Sequence, residues 1–222
     1  MDKVTENPLK NRDDGSMPLI VVSALFVTAY LVSNIMAVKV IGIFNLLYFD
    51  AGTVTFPFAY MLGDVLTEIW GYKTSRKVIL LTFICNVLMV ICTQIGVWLP
   101  SPDELEGTAV AYNTIFSYVP RIVVASLTGF LLGELSNAWL MDKMKKRLGE
   151  GNLWVRTIGS SMVAYLLDSI PFVLIAFAGT LPARELLLMI ALQYLMKLGI
   201  EALFGTPLAY SMIAYIKKKL QR

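Results

Sequence analysis

Apolar runs of about 20 residues, the length an α-helix needs to cross a hydrocarbon core about 30 Å thick, recur along nearly the whole chain. They constrain the fold more than any motif does. A backbone at that depth must satisfy its own hydrogen bonds, which only helices and closed barrels achieve. The runs are continuous rather than alternating, which disfavours a β-barrel. With 57% hydrophobic and 16% charged residues and a mean hydropathy of +0.67, the composition lies well outside the soluble range. The sequence therefore predicts an all-α membrane protein seated in a lipid bilayer. Its spans, six transmembrane helices in a bundle, fall over residues 17–37, 53–70, 77–99, 119–141, 156–179 and 186–216. Pro57 sits near the start of the second, where a missing N–H does least harm. The sixth is longer than needed and is expected to kink or tilt at Pro207. A polar segment (1–16) and a basic tail (217–222) flank this single transmembrane domain (17–216).

Basic residues orient the bundle. Lys3, Lys10 and Arg12 precede the first span, Lys73, Arg76 and Lys77 follow the second, Lys143, Lys145, Lys146, Arg147 and Arg156 lie between the fourth and fifth, and Lys217, Lys218, Lys219 and Arg222 end the chain. The opposite side holds Lys39, Arg121 and Arg184, with Asp103, Glu104 and Glu106 in the long third connection. Both termini are thus expected to be cytoplasmic. The net charge of +3 is a topology signal, and no nucleic-acid partner is expected. No small-residue cleavage site follows the first 16 residues, so no cleaved signal peptide is expected. Trp70, Trp98, Trp139 and Trp154 fall near predicted interfaces, as an aromatic belt requires.

Several chemistries lose their means. The chain has no histidine, and Cys85 and Cys92 share one face of the third span as apolar packers. Metal and haem sites therefore have almost no ligands to draw on, and neither a metal nor a cofactor is expected. No phosphate-cradling loop or nucleophile elbow is present.

Within the apolar runs lie Asp64, Glu68, Glu134, Asp168, Lys197 and Glu201. One charge at the bilayer centre costs roughly 2.5–3.5 kcal/mol, so such residues face the bundle interior, pair, or line a solute path. Tyr60, Asp64 and Glu68 are spaced i, i+4, i+8 and share a stripe, with Glu68 close to the cytoplasmic interface near Lys73 and Arg76. Gln193, Lys197 and Glu201 repeat the spacing. Lys197 and Glu201 can neutralise one another as a structural pair, although a buried pair does little for stability. Asp168 has no cation on its own helix, and Lys197 is its expected partner. Ala125, Gly129 and Gly133 form a small-residue ladder for close helix approach, beside the solute-contact candidates Glu134 and Asn137. Ala29, Ser33 and Ala37 make a similar ladder next to Asn34. Carboxylates, one lysine, the amides of Asn34, Asn137 and Gln193, and interior aromatics suit a flat heterocycle rich in hydrogen-bonding groups. A guanine-like edge offers adjacent N–H donors to a carboxylate, while a lysine or amide donates to its carbonyl.

VSNIMAVK (32–39), FPFAYMLGDVLTEIWGY (56–72), RTIGSSMVAYLLDS (156–169) and YLMKLGIEALFGTPL (194–208) resemble the queuosine precursor transporter family, also described as a vitamin uptake transporter family. The likeness runs from about residue 17 to the end, and GDVLTEIWGY is its most specific piece. It implies a six-helix bacterial inner-membrane importer of 7-deazaguanine bases such as preQ0 or preQ1. It also implies polar family positions at Asp64, Glu68, Asp168, Lys197 and Glu201. The family is similar to substrate-binding components of energy-coupling-factor transporters, which dock on a transmembrane partner through Ala-xxx-Ala motifs. Ala29, Ser33 and Ala37 depart from that motif, favouring a solitary carrier. The expected binding set is Asp168, Lys197, Glu201, Asp64, Asn34, Gln193, Glu134 and Tyr60, with Glu68 and Asp64 as gate or proton relay. A homodimer or coupling subunits are the protein partners left open. The rival readings are an ATPase-dependent capture subunit, an intramembrane enzyme using Asp64, Asp168 or Glu134, and a scaffold without solute.

Overall fold

Gly71 decides how the middle of the chain is laid out. It adopts φ 76° and ψ 167° inside a helix that otherwise runs from Gly52 to Trp98 (α2). A residue with a side chain pays a penalty for that conformation. A straight helix of 47 residues would reach roughly 70 Å at 1.5 Å per residue, more than twice a membrane core. Instead the hydroxyl of Thr67 donates to that of Ser75 at 3.0 Å, eight residues on, so the chain doubles back. The spans expected at 53–70 and 77–99 are the two arms of this one bent helix, and the expected connection between them shrinks to a single glycine.

The computed structural model describes residues 10–43, 47–149, 151–179 and 181–220. Most of the expected polar segment 1–16 lies outside them. Helix α1 spans Lys10–Met36, followed by a hairpin of β1 (Val40–Ile43) and β2 (Leu47–Asp50), then α2. The hairpin pairs antiparallel with Val40 opposite Asp50 and Ile41 opposite Phe49, an addition to the all-α expectation. A 3-10 turn (Asp103–Leu105) leads into α3 (Glu106–Leu148), then α4 (Leu153–Phe177). The third connection is thus mostly helix, because α3 starts well before residue 119. The last run is α5 (Ala183–Ile200), a π-helical turn (Glu201–Gly205) and α6 (Thr206–Leu220). The irregularity foreseen at Pro207 falls just before it. Proline has no N–H to continue the ladder, and a π turn is one way a helix absorbs such a break. The residues expected as a tail from 217 continue α6. Among the described residues, five helices are long and apolar enough to cross a membrane.

The exterior is apolar and the interior polar. Ile20, Ile84, Leu88, Leu187, Leu195 and Leu203 are exposed, while Asp64, Glu134, Asp168, Lys197 and Glu201 are buried. A lipid solvent favours that inversion, and the chain is a multi-pass membrane protein. Phe26, Tyr30, Phe56, Leu66, Ile79, Phe130 and Met141 pack α1, α2 and α3 into the main core. Inside it, the Asn34 amide donates to Asn86 Oδ1 at 2.5 Å, and the Ser126 hydroxyl donates to Asn34 Oδ1. This polar staple ties α1, the second arm of α2 and α3 together at depth.

Chain direction defines two ends. The hairpin, the start of α2 and the end of α4 share one. Gly71, the ends of α3 and α6 and the start of α4 share the other.

Candidate functional site

Buried polar side chains form a column between those two ends. At the hairpin end, the Asp50 carboxylate accepts from the Thr53 N–H at 3.0 Å, the Thr53 hydroxyl at 2.9 Å and the Gln193 amide at 2.6 Å. Asp50 thereby satisfies donors at the start of α2, as a capping carboxylate does. It also ties the hairpin to α5. Burial pushes its carboxyl up from the ordinary value, while the Lys197 ammonium and the Thr53 donors pull it down.

One turn from Gln193 on α5, Lys197 Nζ lies 2.6 Å from Asp168 Oδ2 and 5.0 Å from the centre of the Phe56 ring. The expected Lys197–Asp168 pairing is present, and the alternative Lys197–Glu201 pairing is not. Asp168 can sit there because α3 offers bare backbone. A Cβ on Gly129 would fall 2.6 Å from the Asp168 carbonyl oxygen and Oδ1, and one on Gly133 would fall 3.0 Å from Asp168 Cβ and collide with the Tyr60 hydroxyl. The glycine ladder read as packing therefore also shapes the site. Gly133→Ala is expected to cost about 1–3 kcal/mol through overpacking and to depress transport. Unchanged thermal stability of the purified variant would contradict this.

The Tyr60 and Tyr165 rings pack against each other tilted by 59°, 4.6 Å between centroids. Glu201 opens the π turn and accepts from the Ser161 hydroxyl at 2.6 Å and from the Tyr165 hydroxyl. Asp64 accepts from the Asn137 amide at 2.7 Å. Glu134 is 0% exposed, and neither of its carboxyl oxygens has a hydrogen-bond partner in the protein. Its Oε2 lies 2.8 Å from where a Gly63 Cβ would stand, beside the Phe26 ring. The Tyr60 hydroxyl, Asn137 Oδ1, Ser169 Oγ and Gln193 Oε1 are likewise buried without a partner. Buried polar atoms ordinarily find one, so these atoms are left with hydrogen-bonding capacity to offer.

At the Gly71 end, Glu68 is surrounded by cations. Arg156 reaches both its oxygens, at 2.5 Å and 3.3 Å. Lys145 lies 3.2 Å and Lys217 3.6 Å from Oε1, and Lys145 also donates to the Glu68 carbonyl at 2.6 Å. These partners come from α3, α4 and α6, in place of the expected neighbours Lys73 and Arg76.

Tyr60, Asp64, Glu134, Asp168, Gln193, Lys197 and Glu201 share the column, and Glu68 closes its Gly71 end. Asn34 sits in the α1–α3 staple with both amide ends engaged. Two column residues escaped the sequence reading. Arg156, expected among the basic residues of the connection and at the very start of the fifth span, is fully buried in the first turn of α4. Its signal was a basic residue opening the polar run RTIGSS between the apolar stretches LWV and MVAYLL. Asp50 lay in a connection, and its signal was the Asp-x-x-Thr spacing before an apolar run.

The family described as "Putative vitamin uptake transporter" matches residues 50–212, which take in the column from Asp50 through the π turn. The chain belongs to that family. As a vitamin uptake transporter family member it is also similar to three curated proteins. It is 29% identical to a Bacillus subtilis protein named "Probable queuosine precursor transporter", over 81% of this chain and 77% of that one. It is 25% identical to a Haemophilus influenzae protein of the same name, over 77% and 71%. It is 22% identical to the Escherichia coli "Queuosine precursor transporter", over 76% and 75%. No solved structure matches the chain.

Proposed function

We propose that this protein imports a queuosine precursor, a 7-deazaguanine such as preQ0 or preQ1, across the bacterial inner membrane as a solitary secondary carrier. The observation that carries the reading is the column of buried acceptors around one lysine, in a chain similar to proteins named for that cargo. The heterocycle's N–H edge is bound by carboxylates. Glu134 has both oxygens available, and Asp168 and Glu201 join once they exchange their present partners. Lys197 donates to the ring carbonyl, Tyr60 and Gln193 border the ring, and Asp64 with Glu68 forms the inner gate or relay.

The chain crosses six times in this reading, with the two arms of α2 counted separately and both termini cytoplasmic. Clustering of Lys73, Lys145, Arg147 and Lys217 at the Gly71 end supports that orientation. The solitary mode draws support from the Ala29–Ser33–Ala37 stripe. Ser33 donates to the Ala29 carbonyl at 2.7 Å and its oxygen lies 2.8 Å from Thr55 Oγ1, and Ser33 and Ala37 are buried. The stripe is occupied within the molecule and not presented to a coupling subunit.

The test uses cells that cannot make the precursor, fed nanomolar preQ0 or preQ1, with tRNA queuosine as readout. Queuosine is expected only when this protein is present. Equal queuosine with and without it would refute the cargo. Uptake into proteoliposomes holding the purified chain alone separates a solitary carrier from a capture subunit, which binds but does not translocate.

A further inference from the structure

A cavity of about 490 Å³ opens at the hairpin end, its lining including Val40, Phe177, Glu185, Met189 and Leu192. Val40 is the cross-strand partner of Asp50, and Met189 and Leu192 lie on the stretch of α5 that carries Gln193. Asp50 and Gln193 do not line the cavity themselves; both are buried, and each is a partner or chain neighbour of residues that do. On the inner side of the Asp50–Gln193 hydrogen bond, Gln193 is one helical turn from Lys197, which holds Asp168.

We propose that Asp50 is a gate residue, whose hydrogen bond to Gln193 latches the hairpin onto α5 and separates the cavity from the Lys197–Asp168 pair. The column is closed at both ends, by Asp50–Gln193 at one and by Glu68 with its cations at the other. A carrier that alternates access opens one end at a time. The two closures differ in strength. Glu68 is held by cations from three helices, whereas the hairpin is joined to α5 at this point by a neutral amide on one carboxylate. An isolated two-stranded hairpin is marginal on its own, so its position follows its docking contacts. Gln193 also keeps Oε1 unpartnered although it is fully buried, leaving its amide an acceptor to offer a solute once the latch parts. Thr53 remains with Asp50 on the α2 side, so the carboxylate retains two donors while the gate is open. Asp50 thus keeps the end of β2 joined to the start of α2.

The proposal rests on the transport reading for its purpose, but its test needs no cargo. In a Cys85→Ser, Cys92→Ser background, Ser169→Cys places a thiol beside Asp168, at a buried position. A membrane-impermeant maleimide is applied to intact cells and, separately, to inside-out vesicles. Slow labelling is expected with Asp50 and Gln193 intact. Asp50→Ala and Gln193→Ala should each raise it several-fold in intact cells, whereas Glu68→Gln should not. The exchange Asp50→Asn with Gln193→Glu rebuilds the bond with donor and acceptor swapped and should return labelling to the closed level, a rescue that a purely structural Asp50 would not give. Should Asp50→Ala fail to insert, Gln193→Ala decides alone. Labelling unmoved from either face would overturn the gate. A rise confined to inside-out vesicles would keep the gate and overturn the topology. A rise in intact cells without any queuosine-precursor uptake by the parent protein would keep the gate and overturn the cargo.

Discussion

Lys197→Met is expected to abolish precursor uptake and to reduce the amount of folded protein in the membrane. The Lys197 side chain is 2% exposed and that of Asp168 6%, so removing the ammonium leaves a carboxylate uncompensated in the bundle interior. Breaking one half of a buried pair costs roughly 3–5 kcal/mol, whereas replacing both halves by apolar groups of similar volume is often neutral or stabilising. The double variant Lys197→Met with Asp168→Leu should therefore recover membrane levels and thermal stability while remaining unable to import. That split separates a binding role from a structural one. Normal uptake by the double variant would show that the pair serves only to hold α4 against α5. Asp168→Ala alone should also abolish uptake without preventing insertion, because the Asp50 carboxyl, which the Lys197 ammonium already pulls down, still offsets that charge in part.

The second large effect concerns Arg156. Its guanidinium contacts both oxygens of Glu68 and is fully buried, while Lys145 and Lys217 are 27% and 36% exposed along their side chains. The lysines remain hydrated, so they can neutralise Glu68 only in part once the arginine is gone. Arg156→Met is expected to lower stability by about 3 kcal/mol, read as a fall in melting temperature of the purified protein. Arg156→Lys should recover little of the loss, since an ammonium cannot match the planar two-point contact. Glu68→Gln combined with Arg156→Met should recover most of it. Equal melting temperatures for Arg156→Met and the parent would remove Arg156 from the inner closure.

Both predictions rest on pairings between helices, and there the sequence was an uneven guide. The Asp168–Lys197 pair could be foreseen because Asp168 has no cation on its own helix and Lys197 is the one lysine at that depth. The partners of Glu68 could not. Nearness in sequence suggested Lys73 and Arg76, but Gly71 turns the chain back at once and hands the carboxylate to α3, α4 and α6. Glu201 looked like a partner for Lys197 at i+4. The turn from Lys197 to Glu201 is regular, with the Glu201 N–H on the Lys197 carbonyl, but the ammonium turns to Asp168 and Glu201 meets Ser161 and Tyr165 instead.

The sequence by itself determined that this chain lives in a bilayer, where most of its helices run, which side chains share a stripe, and that those stripes must face inward. These are properties of composition and helical period, and each is read along one helix at a time. Only the tertiary structure decided which charges meet, that Asp50 and Arg156 belong to the column, and that Glu134 stands without a partner inside it. Those facts depend on the axial rotation and approach of neighbouring helices. Approach is governed by contacts such as bare Gly129 and Gly133 against Asp168, whose consequence cannot be read from either helix alone.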